Sequence, residues 1–172
     1  AKLANAAAEA YASNFGESVE ANMDAARLGS QFQLIDPAAS TRDAQQTISS
    51  LSGIADVLEE DVRPTAQAVS VMLSSGIASS AEEAFDVLAA GAREGVNRSE
   101  DLLDTFTEYP ALFARLGLDG PEALGLINQA MQAGARNSDV AADALKEFQI
   151  RATDGSKSSA AACRPWCTCQ AC

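Results

Sequence analysis

Between positions 42 and 62 the apolar residues Ala44, Ile48, Leu51, Ala55, Leu58 and Val62 recur at alternating spacings of four and three. That spacing lays them along one face of an α-helix. It is also the spacing of a heptad, so the stripe has two readings: a coiled-coil seam to another chain, or a helix packing on a neighbour in its own chain. Because only about three heptads are present, the second reading is preferred. Pro64 suits the first turn of a following helix, in which Val69, Met72 and Leu73 turn inward before Gly76 stops it. Upstream, the alanine-rich run 1–28 places Leu3, Ala7, Ala10 and Tyr11 on one helical face, with a break expected at Gly16. The stretch 29–41, with Pro37 among serines and glycine, reads as a connector.

The most regular pattern follows. Ser80 stands three residues before Glu83, the spacing of a capping box, and Ala81, Ala84, Phe85, Leu88 and Ala92 then form one apolar stripe. Asn97 and Glu100 repeat the box spacing ahead of Leu102, Leu103, Phe106 and Tyr109. Pro110 restarts the chain into a short helix with Leu112, Phe113 and Leu116. Asp119, Pro121 and Glu122 open another, with Ala123, Leu124, Ile127 and Met131 on its face. Asn137 or Ser138 caps a last helix presenting Ala141, Ala144, Leu145 and Phe148, which Asp154 and Gly155 end. The wording EEAFDVLAAGAREG at 82–95 is echoed by PEALGLINQAMQAGARN at 121–137, with the second helix expected to be about one turn longer; each is followed by a second helix. An offset of roughly 40 residues is the size at which helical hairpins stack.

These elements predict an all-α fold of tandem amphipathic helical hairpins, either solenoid-like or an irregular helical bundle. Its parts are an N-terminal helix and connector over 1–41, a helical pair with a heptad-like face over 42–76, a hairpin-repeat region over 77–156, and a disordered cysteine-containing tail over 157–172. Composition sharpens the picture. Hydrophobic residues make up 47% of the 172 but aromatics only 5%, and alanine, the best helix former, dominates; thin, closely packed helices are favoured over a sheet.

Charge and chemistry mostly exclude. The formal net charge is -12 with no histidine, which removes the commonest general base and the commonest neutral metal ligand. The twelve Lys and Arg are scattered singly, so direct nucleic-acid binding is not expected. No apolar run approaches the roughly 20 residues of a membrane span. No phosphate loop, nucleophile with a base, or histidine-containing metal motif is present, and pairs such as Glu59–Glu60 and Glu82–Glu83 read as a solvated face and a capping turn. No catalytic residue and no cofactor are predicted. One constellation is left, Cys163, Cys167, Cys169 and Cys172 in CRPWCTCQAC. It is a weak candidate for zinc, because Cys167 and Cys169 are separated by a single residue, and for disulfides, because nothing points to an oxidising compartment. The abrupt change of composition after Ala162 fits better with a segment foreign to the fold, as from a shifted reading frame or an engineered extension.

The stretches SAEEAFDVLAAGAREGVNRSEDLLDTFTEY, LGLDGPEALGLINQAMQAGARNSDVAADALKEFQIRATDGS and, less specifically, YASNFGESVEAN resemble the tail tape-measure protein of long-tailed bacteriophages and of prophages in actinobacteria. The resemblance implies a long, mainly helical virion structural protein that occupies the tail lumen, after assembly in the host cytoplasm. It implies roles in tail assembly, tail-length determination and genome ejection. The implied partners are the tail tube protein, tail assembly chaperones and other tape-measure copies. No site residue transfers, since such a protein acts through length and helical surface. Tape-measure proteins are many times longer than this chain, which opens on Ala1 without an initiator methionine, so a fragment is expected. The family pattern would continue past Ala162 with a leucine-rich helix, where this sequence turns cysteine-rich. The alternative function is a helical-repeat adaptor that binds a partner protein without catalysis; an enzyme domain ranks third.

Overall fold

The computed structural model describes residues 1–153. Among these the only regular elements are nine helices: α1 (Lys2–Ala12), α2 (Val19–Gln31), α3 (Thr41–Leu58), α4 (Val62–Ser75), α5 (Ala81–Arg93), α6 (Leu102–Glu108), α7 (Pro110–Arg115), α8 (Gly120–Gln132) and α9 (Ser138–Thr153). The fold is all-α. Short polar side chains start most of these helices by accepting amides that the first turn leaves without a partner. Ser18 accepts from Ala21, Ser40 from Asp43, Ser80 from Glu83 and Asp119 from Glu122. Full reciprocal boxes form at Ser40 with Asp43 and at Asp119 with Glu122. At the other ends Glu59 (φ 57°) stops α3 and Gly76 (φ 81°) stops α4 in the left-handed conformation.

Contacts run between near neighbours in sequence. α1 packs on α2 and α3, α2 on α3 and α4, α3 on α4 and α5, and α4 on α5, α6 and α7; α5 then meets α6 and α8, α6 meets α7 and α9, and α8 meets α9. One hydrophobic cluster threads through all of them from Ala6 to Ala142. Alanine lets helices approach closely at one end, where α1 contributes Ala6, Ala7 and Ala10. Three aromatics gather further along: Phe106 and Phe113 lie 6.0 Å apart with rings tilted by 59°, and Tyr109 stacks on Phe113 at 6.4 Å.

The heptad-like stripe is covered within its own chain. Ala44, Ile48, Leu51, Ala55 and Leu58 of α3 are all buried, and α3 is flanked by α1, α2, α4 and α5. Val62 belongs to α4, because the left-handed turn at Glu59 breaks the stripe before it. The expected break at Gly16 occurs, with φ of +76°. Tyr11, expected inside, is exposed at the edge of the narrow alanine face. The connector is shorter than expected, because α2 continues through Gly29 to Gln31; Leu34 and Ile35 then fold back to donate their amides to the Gly29 carbonyl, at 2.7 and 3.1 Å.

Several caps differ from the pattern. Glu83 completes no box with Ser80, since its carboxylate accepts instead from the amide and hydroxyl of Ser79. Asn97 and Glu100 form no box at all: Glu100 adopts φ of 57°, and Asn97 accepts from Leu102, five residues on, at 3.2 Å. Of the two candidates at α9, Asn137 accepts from Val140 at 3.0 Å, while Ser138 is buried. α5 and α8 are equal at 13 residues rather than differing by a turn. The shared Gly-Ala-Arg is not an equivalent position, because Gly91 lies inside α5 against Leu102 and Leu124, whereas Gly134 (φ 111°) lies beyond α8. On α9, Ala141 is buried and Leu145 half-buried, but Ala144 and Phe148 face solvent. The stop at Asp154 and Gly155 lies outside the described residues.

Truncating Leu51, fully buried on α3, removes apolar contacts and leaves a cavity. Leu51→Ala is expected to lower the unfolding free energy in urea by about 2–5 kcal/mol. Val57→Ala on the exposed side of the same helix is expected to change it by less than about 0.5 kcal/mol.

Candidate functional site

Acidic side chains, the most abundant chemistry of this chain, serve helix ends. Hydrogen bonds from the Ser40 side chain and amide hold the Asp43 carboxyl below its ordinary value, and those from Ser79 do the same to Glu83. Glu82 and Glu83 occupy the first turn of α5, where negative charge complements the helix N-terminus. Among the described residues no group of three or more His, Cys, Asp or Glu side chains is placed to hold a metal ion. The candidate ligands Cys163, Cys167, Cys169 and Cys172 lie outside the described residues.

Two buried polar knots interrupt the apolar interior. The first centres on Asn22 of α2, fully buried. Its amide nitrogen donates to the carbonyls of Ala7 at 3.3 Å and Phe15 at 2.8 Å, and its Oδ1 accepts from the Ser52 hydroxyl at 3.0 Å. One side chain thus ties α1, the following turn, α2 and α3 together. Gly16 is required beside it: a Cβ there would run into the Asn22 amide, and the φ of +76° disfavours any other residue.

The second knot joins α6 to α9. The hydroxyls of Thr105 and Ser138, both buried, share a hydrogen bond at 3.0 Å. Asp101 Oδ2 accepts from the Asp139 amide at 3.0 Å, and the Tyr109 hydroxyl donates to Asp139 Oδ1 at 3.2 Å. The Lys146 ammonium lies 5.9 Å from the centre of the Tyr109 ring. Asp101 Oδ1 is buried without a hydrogen-bond partner. Burial, then the nearby negative charge of Asp139, pushes the Tyr109 phenol up to about 12.

Neither knot pairs a nucleophile with a base. Both satisfy buried backbone or side-chain groups across helix joints, and so fix how the helices meet. Sequence patterning missed them. Asn22 stands where an apolar residue would continue the stripe of Ala25 and Ala26, and a lone amide inside such a stripe is the signal that could have found it. Thr105 and Ser138 carry no comparable signal, since each resembles an ordinary helix or cap residue.

The remaining place for function is the outer surface. Among the described residues the exposed large apolar side chains fall in two groups, Tyr11, Phe15 and Met23 near the first helices and Leu126, Val140, Phe148 and Ile150 on α8 and α9, with Val57 alone between. A groove of about 570 Å³ beside the turn from α3 to α4 is lined by Leu28 and Ala55 together with Asp24, Asp56, Glu60, Asp61 and Arg63.

Comparison with known proteins gives this arrangement a context. The family profile described as "Phage-related minor tail protein" matches residues 2–164. A protein of Streptomyces phage phiC31 described as "Probable tape measure protein" is 46% identical over 95 residues, covering 55% of this chain and 13% of the phage protein. The chain therefore matches only a small part of that relative's length. No solved structure matches.

The raised Tyr109 value means that the fold favours the protonated phenol. Its contribution to stability is fully present below the ordinary tyrosine value of about 10 and is lost as pH rises through about 12. Phenolate ultraviolet absorbance of the folded protein is expected to show a titration step near pH 12, and Tyr109→Phe is expected to remove it.

Proposed function

We propose, since the chain belongs to the phage-related minor tail protein family and is thereby a structural component of a phage tail, that it is a segment of a tape-measure protein acting through helical length. It lies in the tail lumen against the tail tube protein and other copies of itself, after assembly with tail chaperones in the host cytoplasm. It contributes to setting tail length, and it leaves ahead of the genome at ejection. The similarity to the phage phiC31 protein over 95 residues is the observation that carries this reading.

The architecture we propose is a tandem of helical pairs, α1 with α2, α3 with α4, α5 with α6 and α7, and α8 with α9. In support, α1, α3, α5 and α8 touch in that order, as do α2, α4, α6 and α9. The boundaries at 41, 76 and 156 belong to this proposal, and the family match continues past the last of them to residue 164. Each pair then packs chiefly on its neighbours. An α-helix advances about 1.5 Å per residue, so helices laid end to end turn residue number into distance. Folded pairs shorten that ruler, and spanning a tube requires them to open or to stack along it. The alanine-rich, aromatic-poor interfaces of α1 and α9 support easy opening, because few large apolar contacts are lost in doing so.

An in-frame deletion of residues 80–118 from the longer phage protein tests the ruler. The expected result, by electron microscopy of tails, is a uniform shortening of up to about 60 Å, the helical length of the deleted segment. Tails of unchanged length would sink the length-setting role of this region.

A further inference from the structure

A shift of 39 residues superimposes one helical pair on the next in more than wording. The N-caps Ser80 and Asp119 correspond, as do Glu83 and Glu122. So do the positive-φ glycines Gly95 (74°) and Gly134 (111°), each followed by an amide that donates back into the helix end at 2.9 Å, Val96 to Gly91 and Ala135 to Ala130. In this register the inner residues match in burial: Ala84 and Ala123, Leu88 and Ile127, Leu102 and Ala141, and Leu103 and Ala142 are all buried.

The outer residues match in position but not in burial. Val87 is 3% exposed and its counterpart Leu126 37%; Tyr109 is 8% exposed and its counterpart Phe148 65%. Thr105 is fully buried and its counterpart Ala144 exposed. What covers the earlier set is the following pair. Gly120, at the start of α8, comes so close that a Cβ on it would lie 3.0 Å from Val87 Cγ2. Ser138 and Asp139, at the start of α9, bond Thr105 and Tyr109. Apolar residues thus stand on α8 and α9 at the places where α5 and α6 receive a neighbour.

We infer that the outer face of α8 and α9 is an interface for one more helical pair of this 39-residue pattern, supplied by the same polypeptide in the longer protein. The inference rests on the tandem-pair reading above. Continuity argues for a pair rather than an unrelated partner, because α5 and α6 are covered by their successor through these same positions. The phage protein's greater length, of which the match covers 13%, argues for the same polypeptide. The occupant's chemistry follows from the register. Ala144 and Phe148 lack the hydroxyls that Thr105 and Tyr109 offer, so the incoming helix presents apolar side chains where α9 presents Ser138 and Asp139. A small residue at its partner helix's start faces Leu126, as Gly120 faces Val87.

The test compares the full chain with one carrying a second copy of residues 119–157 after Lys157, with Ser138→Ala and Asp139→Ala in the added copy only. Hydrogen exchange read by mass spectrometry is expected to slow at least about tenfold over the original α9 amides when the pair is added. Phe148→Ser in the original copy is expected to leave the Tm of the unextended chain unchanged and to lower that of the extended one. Equal α9 exchange in both proteins would overturn the inference. So would α9 protection in the unextended chain that rises with concentration and disappears in Phe148→Ser, since the occupant would then be a second copy. A further variant with residues 80–118 duplicated in place separates the two readings. If it loses helicity per residue, the tandem-pair reading fails and this inference with it; if it folds while α9 in the extended chain stays unprotected, only the terminal interface is wrong.

Discussion

Everything in this fold follows from how little each helix can bury alone. With aromatics at 5% of the chain and alanine prominent on the packing faces, a single stripe offers too little apolar area to offset the entropy of ordering its own residues. Each helix therefore needs neighbours on more than one side. α3 meets the requirement most fully: Ile48, Leu51 and Leu58 are buried where α1, α2, α4 and α5 converge. α9 meets it least, burying only Ser138, Ala141 and Ala142 along its 16 residues.

Interfaces built from small side chains are poor at fixing register, because alanines slide past one another with little penalty. The two polar knots supply what the apolar stripes lack. Asn22 has one arrangement in which its three hydrogen bonds to Ala7, Phe15 and Ser52 are all made, and any slip of α1 or α3 leaves a buried amide without partners, at a cost of about 1–3 kcal/mol. Thr105, Ser138, Asp139 and Tyr109 do the same where α6 meets α9.

How far the sequence could be read divides along the same line. Helix identity, the stripe from Ala44 to Leu58, the break at Gly16, the proline start of α7 and the Asp119–Glu122 box were legible, because spacing and capping chemistry are local. The failures came where tertiary contact decides. Tyr11 and Phe148 sit at helical spacing yet face solvent, since no neighbouring helix reaches them. Glu83 turned to Ser79 because that serine's amide and hydroxyl were both free to donate to it. Gly91 looked like the partner of Gly134 until its contact with Leu102 put it inside a helix. The buried knots were invisible because they join residues 7 to 38 positions apart, and no pattern in one segment announces its partner in another.

On the proposed reading, a tail protein working by length has to be both foldable and extensible, which a row of helical pairs each leaning on the next would combine. Pulling a single molecule by its ends in optical tweezers tests that claim most directly. The account predicts stepwise lengthening at low force, with α8 and α9 released first and increments of about 130 Å for a 39-residue pair drawn out at roughly 3.3–3.6 Å per residue. A single all-or-none extension of the whole chain would contradict it.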